Sequence, residues 1–251
     1  MSIKIKTPEE IEKMRIAGQL AADVLVMIAP HVKAGVTTDE LNTLCHNHIV
    51  EVQQAIPAPL NYHGFPKSIC TSVNDVICHG IPNHKKLREG DIINLDITVI
   101  KDGYHGDTSA MFIVGQTTPL RRQLCKVAQE SLYAAIQRVR PGMCITEIGA
   151  VIQPIVEQAG FSVVRDYCGH GIGAEVHEGP QILRYRNGGK LELKPGMCFT
   201  IEPMVNSKKY HCKVNPKDGW TVTTKDGGDS AQWEHTLLVT EDGCEVLTLR
   251  P

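Results

Sequence analysis

No apolar run in this sequence is long enough to cross a membrane: the longest in its first helical segment is Val24–Ala29, against the ~20 residues a span requires. The opening MSIKIKTPEE holds no apolar stretch of the signal-peptide kind. No C-x-x-C occurs, and the nine cysteines, at 45, 70, 78, 125, 144, 168, 198, 212 and 244, are odd in number and scattered. That excludes a disulfide framework, a cysteine zinc site and thioredoxin-type redox chemistry, and it predicts a reducing cytoplasm. H-E-x-x-H and G-x-S-x-G are missing too, which removes mononuclear zincins and serine hydrolases with a nucleophile elbow. The formal charge is only −2, which argues against a DNA-binding surface spread over the whole molecule. There is no low-complexity segment and no Ser/Gly-rich linker.

What the sequence does have is an echo of itself. Residues 87–99, LREGDIINLDITV, and 193–205, LKPGMCFTIEPMV, share a pattern at an offset of 106: Leu, a base, any residue, Gly, four residues, Leu or Ile, an acid, two residues, Val. The acids are Asp96 and Glu202. KAGVTTDEL (33–41) matches RPGMCITEI (140–148) at an offset of 107, and HGIP (79–82) matches HGIG (170–173) at an offset of 91. Two similar halves, about 1–115 and 116–251, fused into one catalytic domain spanning 1–251, are therefore expected.

Each half opens on helices. Thr7 is an N-cap with Pro8 in the first turn and Glu10 completing a capping box. Ile11, Met14, Ala17, Leu20, Val24 and Ile28 then recur at helical spacing up to Pro30. A second helix starts near Thr37, with Glu40 three residues on, and carries Leu41, Leu44, Ile49 and Val52. Thr118-Pro119 opens a third, and a fourth runs from about Thr146 to Ala159. Strands are predicted at 67–73, 91–100, 106–114, 197–205, 220–223, 234–239 and 245–249, joined by short turns. That makes an antiparallel, α+β fold. Residues 206–219 read as a long polar loop with four Lys.

In IINLDITVI (92–100), side chains alternate between faces. Leu95, Ile97 and Val99 point one way; Asn94, Asp96 and Thr98 point the other. The turn signal Lys101-Asp102-Gly103 folds the chain back. With the two-residue loop at 101–102, Asp96 faces Asp107 directly; with the loop at 102–103, the two are diagonal neighbours. Either way two carboxylates come close, and they require a proton or a metal between them. Glu202 on TIEPM and Glu234 on WEHTLLV repeat the theme at strand positions. His170 lies among three glycines in GHGIGAEVH, with His177 seven residues on, and His79 stands at the corresponding place of the first half. The glycine run lacks the full G-x-G-x-x-G and a Walker lysine, which discounts nucleotide binding. His31, His46, His48, His84 and His211 read as surface residues. Four carboxylates and one imidazole suit a pair of divalent ions such as manganese, iron, cobalt or zinc, which can share a bridging hydroxide as nucleophile.

SICTSVNDVICHGIP, GDIINLDITVIKDGYHGDTSAMFIVG, YCGHGIGAEVHEGPQI, LKPGMCFTIEPMV, KDGWTVTTKDG and SAQWEHTLLVT resemble the type I methionine aminopeptidases of the bacterial kind, over nearly the whole chain. The resemblance implies the pita-bread fold, with helices outside a curved central sheet, and removal of the initiator methionine from nascent polypeptides when the next residue is small. It implies that Asp107 and Glu234 bridge two ions, that Asp96 completes one ion's shell, and that His170 and Glu202 complete the other's. By the same resemblance Glu202 shuttles a proton, His79 and His177 contact substrate, and His177 helps polarise the scissile carbonyl. Tyr62, His63, Phe65, Cys70 and Trp220 belong to the substrate pocket. A sodium or potassium ion near Asn74, Val76 and Ser230 is a further expectation, as are a monomer and a transient ribosome contact through 206–217.

Two positions depart from the family pattern. Pro59 and Val176 stand where a cysteine and an aromatic are expected, near the substrate pocket, so an altered pocket shape with intact catalysis is anticipated. A proline-specific aminopeptidase or creatinase-like hydrolase is disfavoured because only about six residues precede the first helix. A non-catalytic relative that binds ribosomes or RNA is disfavoured because all five ligand residues are present.

Overall fold

Local chemistry starts the helices where the sequence marks them. Thr7 Oγ1 accepts the Glu10 N–H at 3.3 Å while Glu10 Oε2 accepts the Thr7 N–H at 2.7 Å, opening α1 (Pro8–Ile28). Thr37 and Glu40 repeat this box ahead of α2 (Thr38–Asn47). The structure, a computed structural model, describes residues 3–250. After α2 come β1 (Ile56–Pro57), β2 (Cys70–Val73), β3 (Val76–Cys78), β4 (Ile92–Lys101) and β5 (Tyr104–Ile113). The second half begins with α3 (Pro119–Ile136) and α4 (Thr146–Gln158), then β6 (Ser162–Val163), β7 (Gly169–Gly171), β8 (Glu178–Ile182), β9 (Cys198–Ile201) and β10 (Met204–Asn206). β11 (Cys212–Val214), β12 (Val222–Thr224), β13 (Ser230–Gln232), β14 (His235–Val239) and β15 (Cys244–Val246) complete it.

All strand pairs are antiparallel. β4 pairs with β5 along one edge and with β1 and then β2 along the other. The second half sets β15, β14, β9, β7 and β8 side by side. The two sheets meet where Ser109 and Glu234 exchange backbone hydrogen bonds of 3.4 and 3.2 Å. Ile93, Leu95, Ile97 and Val99, the odd face of β4, pack with Ala21, Val24, Leu25 and Ile28 of α1. A second core joins α3 and α4 to Phe199, Ile201, Leu237 and Val239. Gly106 lets α1 lie directly on β5, since a Cβ there would collide with the Ala17 carbonyl.

The echo in the sequence is an echo in hydrogen bonding. Gly35 N–H donates to Leu87 O at 2.8 Å, and Gly142 N–H donates to Leu193 O at 2.9 Å, both glycines at positive φ. Isolated bridges Thr37↔Lys86 and Cys144↔Glu192 match at the same offsets. Gly90 N–H to Val114 O matches Gly196 N–H to Val239 O.

Several expectations need correction. The strand expected over 197–205 is two strands, because Pro203 has no N–H to continue the ladder. Glu202 therefore sits just beyond the end of β9, and Glu234 lies one residue ahead of β14, bridged to Ser109 of β5. Leu44 is 36% exposed because α2 buries the face of Thr38, Leu41, Asn42 and Cys45, and Val52 is 69% exposed where α2 has given way at His48 to a π turn that shifts the helical phase. The polar stretch 206–219 carries β11 rather than being all loop. His46 is half-buried, its Nδ1 2.8 Å from Ser68 Oγ.

Candidate metal centre and substrate cleft

The β4–β5 turn falls at Asp102 and Gly103, both at positive φ. Asp96 therefore faces Ser109, and Asp107 faces Thr98, which is the diagonal register. Thr98 Oγ1 donates to Asp107 Oδ1 at 2.9 Å. On the other half, Glu202 and Glu234 lie one step beyond the last ladder pair, Ile201↔His235. Thr200 ties this side together: its hydroxyl accepts the His170 N–H at 3.1 Å and donates to Glu202 Oε1 at 3.2 Å.

Asp107, His170 and Glu234, all buried, each offer a ligand atom within 4.8 Å of the others. His170 Nε2 lies 3.7 Å from Asp107 Oδ2 and 3.8 Å from Glu202 Oε1. His170 Nδ1–H donates to Gly171 O at 3.1 Å, which leaves Nε2 with its lone pair facing the carboxylates. Burial, reinforced by nearby His177, pushes the His170 imidazole down to about 3, so it is neutral at pH 7. Burial pushes Asp107 and Glu202 up to about 7, with Arg184 pulling Glu202 the other way. Asp96 and Glu234 are driven well above the usual carboxylate range, by burial first and by neighbouring acids second. Acids packed this way ionise together only when a cation shares the site.

The centre forms the floor of a cleft of about 640 Å³. Its walls include Tyr62, Phe65, Cys70, His79, His177 and Trp220. The rings of Phe65 and Trp220 meet edge-to-face at 5.3 Å, and His79 stands 6.0 Å from Trp220. Burial pushes His79 down to about 4. Tyr62 Oη lies 2.9 Å from His177 Nδ1, and the His177 ring is 4.4 Å from that of His170. Pro59 and Val176 also line the cleft. His63 does not: it is exposed, edge-on to Tyr62 at 4.4 Å. Asn74 and Ser230 meet through a 2.8 Å bond from Ser230 N–H to Asn74 O, and Val76 follows on β3.

The match of HGIP with HGIG is not a structural equivalence. His170 lies on β7, which pairs with β9, whereas His79 follows β3, which pairs with β12. The strand beside β4 that corresponds to β7 is β2.

The model of metallopeptidase family M24 matches residues 12–241. The chain belongs to metallopeptidase family M24. Within it, the methionine aminopeptidase of Escherichia coli strain K12 is 60% identical over 252 residues, covering 100% of this chain and 95% of that one. The crystal structure of the Rickettsia prowazekii methionine aminopeptidase superposes with a TM-score of 0.96 at 54% identity, covering 99% and 100% of the two chains. That of Thermotoga maritima gives 0.95 at 40% identity, covering 98% and 99%. The resemblance to the type I methionine aminopeptidases and their pita-bread fold is borne out.

Sequence reasoning about this M24 chain missed Arg184, whose Nη2 donates to Glu202 Oε2 at 3.1 Å from a side chain 2% exposed. Gln232 and Thr200, the other donors to Glu202, were missed as well. Nothing in QILRY distinguishes Arg184 from a surface arginine. Thr200 was legible in principle, two residues from Glu202 and so on the same face of the strand.

Proposed function

We propose that this chain hydrolyses the first peptide bond of polypeptides beginning with methionine, preferring a small second residue, and that residues 1–251 act as one catalytic unit built from both halves. The observation that carries this is the buried carboxylate–imidazole cluster on the floor of an apolar-walled cleft, in a chain of family M24. The donors fit divalent cations: hard carboxylate oxygens with one neutral imidazole, and Arg184 as the only cation hydrogen-bonded to Glu202 among the described residues. Asp96, Asp107, His170, Glu202 and Glu234 would hold two ions of cobalt, manganese, iron or zinc, with Asp107 and Glu234 shared. When bound, such ions supply a nucleophile at neutral pH and positive charge for the developing oxyanion.

The remaining tasks fall to side chains. Glu202, at the junction of Arg184, Thr200 and Gln232, carries a proton from attacking water to the leaving amine. His177 is held at Nδ1 by Tyr62, which frees Nε2 to polarise the scissile carbonyl. His79 contacts the substrate backbone. Phe65, Trp220, Tyr62 and Cys70 make a wall suited to a thioether, which packs well against ring edges. A monovalent ion at Asn74, Val76 and Ser230 would brace the strand ends behind the centre. Action on nascent chains fits a cytoplasmic location, and among the described residues no helix is long and apolar enough to cross a membrane. A ribosome contact would use Lys208, Lys209, Lys213 and Lys217.

The test is release of methionine from Met-Ala-Ser by chelator-stripped protein, before and after adding manganese or cobalt, beside an Ala-Pro peptide. Metal-dependent release from Met-Ala-Ser alone is expected. Cleavage of Ala-Pro only, or no cleavage with any metal, overturns the proposal.

A further inference from the structure

His177 immediately precedes β8, whose pairing with β7 is irregular. β7 and β8 pair in register at His170↔Gln181, then slip, so that the next partners are Gly171↔Glu178. Gly179 and Pro180 are thus left between the two registers, and His177 stands just ahead of β8, outside the ladder, yet its ring lies 4.4 Å from that of His170. The segment N-terminal to α1 supplies what the ladder does not. Lys6 Nζ is 2.6 Å from Glu178 Oε2, and the two side chains are 2% and 5% exposed. Lys6 N–H donates to Gly196 O at 2.8 Å, in the turn that leads into β9 and Glu202. Thr7, the next residue, caps α1, so the lysine backbone is anchored on both sides. Glu178 Oε1 in turn accepts the Glu175 N–H at 3.4 Å, closing the turn that carries His177. Lys4, 3.5 Å from the same carboxylate but more than half exposed, adds little.

We infer that Lys6 is a positioning residue for the hydrolysis: its buried ion pair with Glu178 holds His177 at the substrate carbonyl. This rests on the aminopeptidase reading of the cleft. A buried pair contributes little net stability against an apolar replacement, whereas removing one partner leaves a buried charge that relocates to find water. Here the relocating group is Glu178, directly bonded to His177. A shift of about 1 Å in a substrate-contacting group can slow a reaction up to about a hundredfold.

The experiment is a double-mutant cycle of Lys6→Met and His177→Ala on Met-Ala-Ser with manganese-loaded enzyme, with Lys6→Arg as the conservative variant and NMR of the histidine rings in the diamagnetic zinc-loaded protein as a second readout. Lys6→Met is expected to lower kcat about tenfold with KM within about twofold, and to have no further effect once His177 is alanine. Lys6→Arg recovers most of the rate. The His177 ring signals shift in Lys6→Met while those of His235, buried against Thr248, stay in place. Should Lys6→Met not fold, Glu178→Gln removes the same charge pair at constant side-chain length and carries the same cycle. Equal losses in both backgrounds, as a merely structural strap would give, overturn the inference, as does an unmoved His177 signal. Inactive wild-type enzyme sinks the aminopeptidase reading instead and leaves the NMR comparison to decide the strap.

Discussion

Gly35, Thr37 and Leu87 in the first half, and Gly142, Cys144 and Leu193 in the second, make the same bridges at the same spacing. Asp96 and Glu202 also occupy matching places, one on β4 and one just past β9. The likeness stops at the other two acids. Matching β5 with β14 through Val114 and Val239 sets Glu234 against Ser109, not Asp107. Ser109 and Glu234 even bond to each other across the seam. One half therefore places an acid where the other has a serine, and the imidazole and the arginine beside the acids, His170 and Arg184, both come from the second half. The lesson is that the two similar halves present matching strand pairs to one cleft, with acids in mid-strand on one side and just beyond the strand ends on the other, and that the side chains at matching places differ.

Several variants would break or sharpen that contrast. The largest effect belongs to Asp107→Asn, which removes a charge with no counterpart in the second half. Turnover should fall about a thousandfold or more while the circular dichroism spectrum and solubility stay as in wild type; retained turnover would remove Asp107 from the centre. Next is Arg184→Met, which erases the cation that only the second half owns. Leaving Glu202 buried without it should cost about 3 kcal/mol in denaturant unfolding, and kcat at pH 7 should drop about tenfold as Glu202 holds its proton more tightly.

A third effect is one of pH. In metal-free protein, Asp107 and Glu202 rise from the ordinary 3.8 and 4.5 to about 7 on folding. The folded chain then holds protons that the unfolded chain has already released, so their stabilisation is present below pH 4 and lost as pH rises through 7. His170 runs the other way: its folded value falls to about 3, so its share is lost as pH drops below 6.5. Above pH 6.5 the carboxylates dominate, and a divalent ion replaces their protons. The rise in Tm on adding saturating manganese should be larger at pH 8 than at pH 5.5; equal rises would argue that these acids do not bind the ion.

Smaller changes follow. Val176→Phe should leave kcat within about threefold and alter KM across a series of methionine peptides, because Val176 lines the cleft without touching the proton path. Identical kinetics throughout the series would show that the position does not shape the pocket. Smallest of all is Ser109→Ala. Its buried hydroxyl has no hydrogen-bond partner among the described residues, so stability should change by less than about 0.5 kcal/mol. A large loss at Ser109 would show that the matched position is occupied for a reason other than packing.

Much of this was legible in the chain. Thr7, Thr37 and Thr118 declared their helices because a capping hydroxyl satisfies orphan N–H groups regardless of tertiary context. β4 was legible because its alternation separates core from cleft cleanly. The register of Asp96 against Asp107 stayed at two alternatives, since Lys101-Asp102-Gly103 permits either turn; the positive φ at Asp102 and Gly103 decides it. The expectation that Glu202 and Glu234 repeat the Asp96 and Asp107 theme holds for Glu202 but not for Glu234, because the echo keeps one offset only through residue 205. After that, β10 to β13 intervene before β14, and an offset cannot be carried across an insertion. Arg184 was invisible because its burial depends wholly on contacts distant in sequence.

The central claim, that side chains from both halves converge to chelate two ions, is tested most directly by an anomalous difference map. Crystals soaked in manganese, with data collected near the manganese absorption edge, should show two peaks bounded by Asp96, Asp107, His170, Glu202 and Glu234. No peak there, or peaks only at other carboxylates, would contradict the account.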